Sequence, residues 1–145
     1  MNNRDTLAKE LFDIANRKSF TIQKINVTPN NNYFFLKKGI NDSNFKLYYK
    51  ENDFSKHILL YDPKNFKANS KNKYVINYIK PSWDGKYVVI ALSYSGLGLS
   101  DMIIYDVKNK KIMPQILNNA WPSNMLGVNW LPNNSGFIYL KFRGQ

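Results

Sequence analysis

Three stretches of this chain repeat one arrangement: PNNNYFFLKK at 29–38, WDGKYVVIAL at 83–92 and PNNSGFIYLKF at 132–142. Each is a turn that runs straight into an apolar strand. Aligned on their turns, Pro29–Tyr33 lies over Trp83–Tyr87 and over Pro132–Gly136, at steps of 54 and 49 residues. An extended segment precedes every copy, so each turn joins two strands as a hairpin. Asn-Asn and Asp-Gly suit the left-handed positions of such turns, and Asp84-Gly85 reads as a type I′ turn with φ > 0 at both residues.

The segments around the repeats have a period of two. Strands are expected at Phe20–Val27, Asn32–Lys38, Phe45–Lys50, His57–Tyr61, Tyr74–Ile79, Lys86–Ser93, Asp101–Val107, Lys111–Met113, Met125–Trp130 and Gly136–Phe142. They are rich in aromatic and β-branched residues and are separated by Asn, Asp, Gly, Lys and Pro. One helical pattern precedes them, with Leu7, Leu11 and Ile14 on one face over 5–17 and Asp5 as N-cap. Four antiparallel strands in a unit of about 50 residues define a blade of a β-propeller. The expected architecture is therefore all-β: a helical lead-in (1–19), then a propeller fragment (20–145). Its blades fall at about 20–66, 74–118 and 124–145, two blades plus the start of a third. A β-sandwich with coincidentally similar turns is the competing fold.

Composition excludes several functions. With 22 aromatic residues among 145, the chain has the means to build a core. Its longest apolar run is Tyr87–Leu92, far below the roughly 20 residues of a membrane helix. No apolar leader is visible at the N-terminus. Cysteine is absent, so thiolate metal sites and disulfides are excluded. These features suit a cytoplasmic or a periplasmic protein equally. The net charge of +11 comes from 18 Lys and only 3 Arg, beside 21 Asn. Arginine is the residue that reads phosphate and guanine in bidentate fashion, and the lysines are scattered. The charge reads as a solvated surface, not a nucleic-acid site. The N-x-S/T triplets at Asn26, Asn41 and Asn133 follow from the asparagine content.

The order of motifs resembles the N-terminal propeller of the prolyl oligopeptidase family, serine peptidases that cut short peptides, preferentially after proline. The resemblance rests on Leu60-Tyr61-Asp62-Pro63, on the Ser82–Tyr87 hairpin, on Leu99-Ser100-Asp101 and on Trp130–Tyr139, and it covers roughly residues 20–142. It implies a seven-bladed propeller over an α/β-hydrolase domain with a Ser-Asp-His triad. In such an enzyme the propeller gates access and filters peptide substrates. The triad of the family lies in the C-terminal half, whereas this chain ends inside its third blade, so the hydrolase domain becomes an expected partner.

No catalytic, cofactor-binding or metal-ligating residue is identified. The single histidine, His57, reads as a strand residue. Ser93-Tyr94-Ser95-Gly96 lacks the first glycine of a nucleophile elbow, and Gly96-x-Gly98 lacks the rest of a phosphate loop. Asp62, Asp84, Asp101 and Asp106 are spread one per turn or strand end, without metal-ligand clustering. Trp83, Trp121 and Trp130 read as packing between blades. The expected role is the propeller portion of a peptidase, inactive by itself. The alternative is a non-enzymatic propeller scaffold of the TolB or WD-repeat type that binds a protein partner. Either way, an incomplete propeller should leave an apolar face open at each end, and homo-oligomers could form through those faces.

Overall fold

A computed structural model describes Lys9 and residues 20–52, 56–94, 98–123 and 127–142. The helix expected over 5–17 lies outside the described residues, apart from Lys9, which is helical. The described residues form ten strands: β1 (Phe20–Val27), β2 (Tyr33–Gly39), β3 (Lys46–Lys50), β4 (Ile58–Tyr61), β5 (Tyr74–Pro81), β6 (Tyr87–Tyr94), β7 (Ser100–Asp106), β8 (Lys111–Ala120), β9 (Val128–Trp130) and β10 (Phe137–Tyr139). They make two four-stranded meanders, β1-β2-β3-β4 and β5-β6-β7-β8, and a two-stranded sheet, β9-β10. All pairings are antiparallel.

The sheets stack face to face. Phe34, Leu36 and Leu47 of the first sheet meet Val88, Ile90, Leu92 and Ile103 of the second in one apolar layer. Val89, Ala91 and Met102 point the other way, onto Val128, Trp130, Phe137 and Tyr139 of the third sheet. β6 is thus covered on both faces, and Val88 to Leu92 have no exposed surface. This is why YVVIAL reads as an unbroken apolar run and not as an alternating one. Four-stranded sheets stacked in this way make an all-β, propeller-like fold.

The polar groups drawn into this packing find partners. β5 bulges between Ile76 and Tyr78, and Asn77 there donates from Nδ2 to Ser100 Oγ (2.8 Å) and accepts from Ser93 Oγ (3.0 Å). Asp62 caps a short 3-10 turn at Pro63–Asn65 by accepting from Lys64 N. That turn carries the chain from the first sheet to the second.

The hairpins differ from the sequence reading in two respects. Tyr33, Val88 and Phe137 are the first residues paired after their turns, opposite Val27, Pro81 and Trp130. The first turn is therefore one residue shorter than the other two, and Tyr33 corresponds to Val88, not to Tyr87. Turn type is the second difference. Gly85 N donates to Ser82 O, Asn134 N to Leu131 O and Asn31 N to Thr28 O. Within these turns positive φ occurs only at the fourth residue, at Asn31 (63°), Gly85 (71°) and Asn134 (62°). This is a type I turn followed by a left-handed residue, a common basis for longer hairpin loops, and not the expected type I′ turn.

β8 extends to Ala120, well past the expected Lys111–Met113. It contains Pro114, which is tolerated because β8 is the outer edge of its sheet. Of the two end faces expected to be open, one differs from expectation and the other agrees. On the first sheet Ile22, Tyr33 and Phe35 are buried at 4%, 1% and 0% exposure, so that face is not open. On the third sheet Ile138, Leu140 and Phe142 are exposed at 65%, 44% and 51%.

Candidate functional site

β1, β5 and β9 each stand at one end of their sheet's strand order, and their hairpins are tied together across the stack. Asn30 Nδ2 donates to Asp84 O (3.1 Å), and Asp84 N donates to Asn134 Oδ1 (3.3 Å). Beneath this ladder Trp83 Nε1 donates to Trp130 O (3.2 Å), and Trp130 Nε1 donates to Lys80 O (3.0 Å). Within the middle turn Asp84 Oδ1 accepts from Ser82 Oγ and Lys86 N. Asn133 plays the same part in the third turn, accepting from Ser135 N and Oγ. The Asn-rich turns therefore fix the spacing of neighbouring inner strands as well as closing hairpins.

Close by is a recess of about 70 Å³ lined by Asn26, Thr28, Lys80, Ser82, Trp83 and Trp130. That is room for a few waters at roughly 10–15 Å³ of such volume each, and not for a peptide. Larger spaces open elsewhere. A groove of about 560 Å³ lies between the second and third sheets, with Ile104, Met113, Pro114 and Gln115 on one side and Trp130, Gly136 and Phe137 on the other. A cleft of about 400 Å³ between the first and second sheets is edged by Glu51, Asp84, Lys86, Lys108 and Lys110. Lys64, Lys67, Lys71 and Lys73 gather around a fourth space of about 290 Å³.

The sequence-selected polar residues fall at separate places. His57 Nε2 lies 3.0 Å from Lys37 Nζ, and the imidazole meets Phe35 and Tyr48 edge-on. Lys37 itself sits 4.2 Å above the Tyr48 ring. Asp62 faces Lys46 and Lys64, each at 3.8 Å, and Asp101 pairs with Lys67 at 3.1 Å. Asp106 accepts from Asn109 N and Nδ2, and those two hydrogen bonds hold its carboxyl below the usual carboxylate range. Among the described residues no three His, Asp or Glu side chains gather to hold a metal ion, and no helix is long and apolar enough to cross a membrane.

The three tryptophans divide in a way the sequence does not reveal. Trp130 is buried between sheets as expected. Trp83 is half exposed and fixed through its indole N–H. Trp121 acts through its backbone: its carbonyl accepts from Tyr78 Oη (3.1 Å) and its N–H donates to Leu140 O (2.9 Å).

A stack of antiparallel meanders, joined along their inner strands by repeated hairpins, defines a propeller-type β-protein. The chain belongs to the prolyl oligopeptidase N-terminal β-propeller family, whose model matches residues 1–145. Solved structures agree on the fold. A prolyl endopeptidase from a study of two such enzymes superposes with a TM-score of 0.68 at 19% identity, covering 92% of this chain and 20% of that one. Prolyl oligopeptidase B from Galerina marginata, bound to a 35-residue hydrolysis and macrocyclization substrate, gives 0.65 at 15% identity, covering 97% and 21%. The apo form of that enzyme gives 0.65 at 14%, covering 98% and 23%. The chain thus spans about a fifth of the length of these relatives. A comparison with curated proteins finds no match.

Proposed function

We propose that this chain is the N-terminal propeller portion of a serine peptidase of the prolyl oligopeptidase type. Its task there is to gate and filter peptide substrates on their way to an α/β-hydrolase domain, and it carries no catalytic residue of its own. The match of the family model to residues 1–145 is the observation that carries this reading. The hairpin ladder suits the role: Asn30, Asp84 and Asn134 hold adjacent inner strands at fixed spacing, as the rim of a size-selective passage requires.

Catalysis by acyl transfer needs a nucleophile, a base and an oriented third group within hydrogen-bond reach. The base available here is His57, and Lys37 Nζ lies against its Nε2. The contact at that nitrogen is a lysine ammonium and not a serine hydroxyl. The purified chain is expected to leave a proline-containing chromogenic peptide uncleaved. Turnover abolished by a serine-directed inhibitor, in a preparation free of other peptidases, overturns the proposal. The coding sequence beyond Gln145 is a second test: a glycine-flanked serine elbow followed by Asp and His is expected. Further blades and a stop codon would instead support a binding scaffold.

A further inference from the structure

Four of the 18 lysines of this chain, Lys64, Lys67, Lys71 and Lys73, fall in the short segment that joins β4 to β5. No acidic residue occurs between Asp62 and Asp84, so nothing within that segment offsets them. The segment is anchored at both ends. Asp62 caps the turn at Pro63–Asn65, and the buried Phe66 meets the Tyr74 ring edge-on at 4.9 Å. Between these anchors Lys67 takes φ of +49°. Ser70 N donates to Lys67 O (2.8 Å), and Asn72 N donates to Ser70 Oγ (3.1 Å). The chain thus bends around the space of about 290 Å³, with Ser43 and Asn44 of the β2–β3 loop on its other side. Every lining residue lies between Ser43 and Tyr74, so no part of this wall belongs to the third sheet.

The four ammonium groups are unequally compensated. Lys67 Nζ is held by Asp101 Oδ2 at 3.1 Å. Lys64 Nζ stands 3.8 Å from Asp62 Oδ2, which Lys46 approaches at the same distance. Lys71 and Lys73 make no ion pair or hydrogen bond among the described residues. Like charges around one concavity reinforce each other, because a cleft with low-dielectric walls focuses the field. Hydroxyl donors share the space: Ser43 and Ser70 both line it. Ser70 Oγ accepts from Asn72 N, which leaves its own proton to donate.

We propose that this space binds a small ligand bearing a chain of phosphates, free or as part of a nucleotide, with Lys71 and Lys73 as its principal contacts. Lysine meets phosphate as a point charge and needs no planar fork, which suits a chain so poor in arginine. A phosphate brings about −1.5 to −2 charge and three strong acceptor oxygens near neutral pH. A lone carboxylate brings one charge and would leave one of the two unpaired lysines uncompensated. The volume stands at the lower end of the roughly 300–1,000 Å³ of small-molecule clefts. That favours a compact anion over a folded partner. The proposal concerns this segment alone and does not rest on the peptidase reading.

The test titrates the 145-residue chain with sodium tripolyphosphate by calorimetry and by amide chemical shifts. Saturable one-to-one binding is expected, with the amides of Ser70 and Asn72 among those that move, and added salt should weaken it. Lys71→Ala combined with Lys73→Ala should weaken binding about tenfold or more while leaving the thermal unfolding midpoint near that of the parent, since both side chains are exposed. Lys86→Ala combined with Lys108→Ala removes as much charge from the cleft between the first and second sheets, and should change binding by less than about twofold. Adenosine triphosphate binding no tighter than tripolyphosphate assigns the site to the phosphate chain, and tighter binding assigns it to a nucleotide; either supports the proposal. An equal loss from the two double variants overturns it, as does binding that never saturates. A hexaglutamate peptide that binds as tightly as tripolyphosphate would assign the lysines to an acidic protein segment, and overturns it too.

Discussion

Gly85 and Asn32, on the hairpins of adjacent sheets, are in contact through the space where a side chain of residue 85 would stand. A Cβ built on Gly85 falls 2.5 Å from Asn32 Nδ2 and 3.3 Å from Asn32 Cβ. Gly85 also has φ of +71°, where a Cβ is strained in any case. Conformation therefore demands glycine, and packing adds a contact that the Asn32 side chain would have to shift to relieve.

Gly85→Val should lower stability by about 1–3 kcal/mol through backbone strain alone, with the clash added to that. Denaturant titration measures the sum. Combining it with Asn32→Gly should recover the steric part and leave the conformational part. Equal midpoints for Gly85→Val and the parent would show that the turn is not the one described.

Asn77→Ala should cost about 1–3 kcal/mol for each hydroxyl left unpaired, since Ser93 and Ser100 are buried at 2% and 0% exposure and Asn77 bonds both. The triple variant with Ser93→Ala and Ser100→Ala should be more stable than the single one, because it leaves no orphaned hydroxyl. A triple variant less stable than Asn77→Ala would show that the network contributes by something other than mutual satisfaction.

Burial pushes the phenols of Tyr61 and Tyr78 up to about 12. The folded protein therefore keeps protons that the unfolded chain has released near pH 10. Stability from this source is complete below pH 10 and is lost as pH rises from 10 to 12. Unfolding followed by circular dichroism should show that loss, and Tyr61→Phe should reduce it. Tyr61 Oη is also a buried hydroxyl without a hydrogen-bond partner among the described residues. Tyr61→Phe is thus expected to raise stability at pH 7 by about 1 kcal/mol.

Much of this molecule is legible in its sequence, and the failures share a cause. β1 has the expected bounds, Phe20–Val27, and the repeated turn-and-strand pattern marks the stacking of sheets. The register of the first copy is hidden because Asn30, Asn31 and Asn32 are interchangeable to the eye. Hydrogen bonds alone tell which of them is the left-handed residue. In a strand, an error of one residue exchanges the two faces, so an alignment on the turns would have sent Phe34 to the wrong layer. β8 reads as a shorter strand in the sequence because Pro114 and the Asn118-Asn119 pair resemble a terminator, and only its place at the edge makes them acceptable. The inter-sheet ladder of Asn30, Asp84 and Asn134 gives no local signal at all. Its partners lie about one repeat apart, and each residue looks like an ordinary turn former.

β6, enclosed on both sides, carries a consequence for how this chain can vary. In a single sheet over a core, one face accepts substitution and the other does not, so tolerance alternates along each strand. Here Val88 and Val89 are equally confined, whereas in β8 Ile112, Gln115 and Ile116 all reach solvent. Freedom to mutate is therefore graded across the sheet, from its middle strands to its outer rim. Neutral drift should accumulate in β4 and β8, which leaves the rim as the part of the molecule where new surfaces can arise without disturbing the stack.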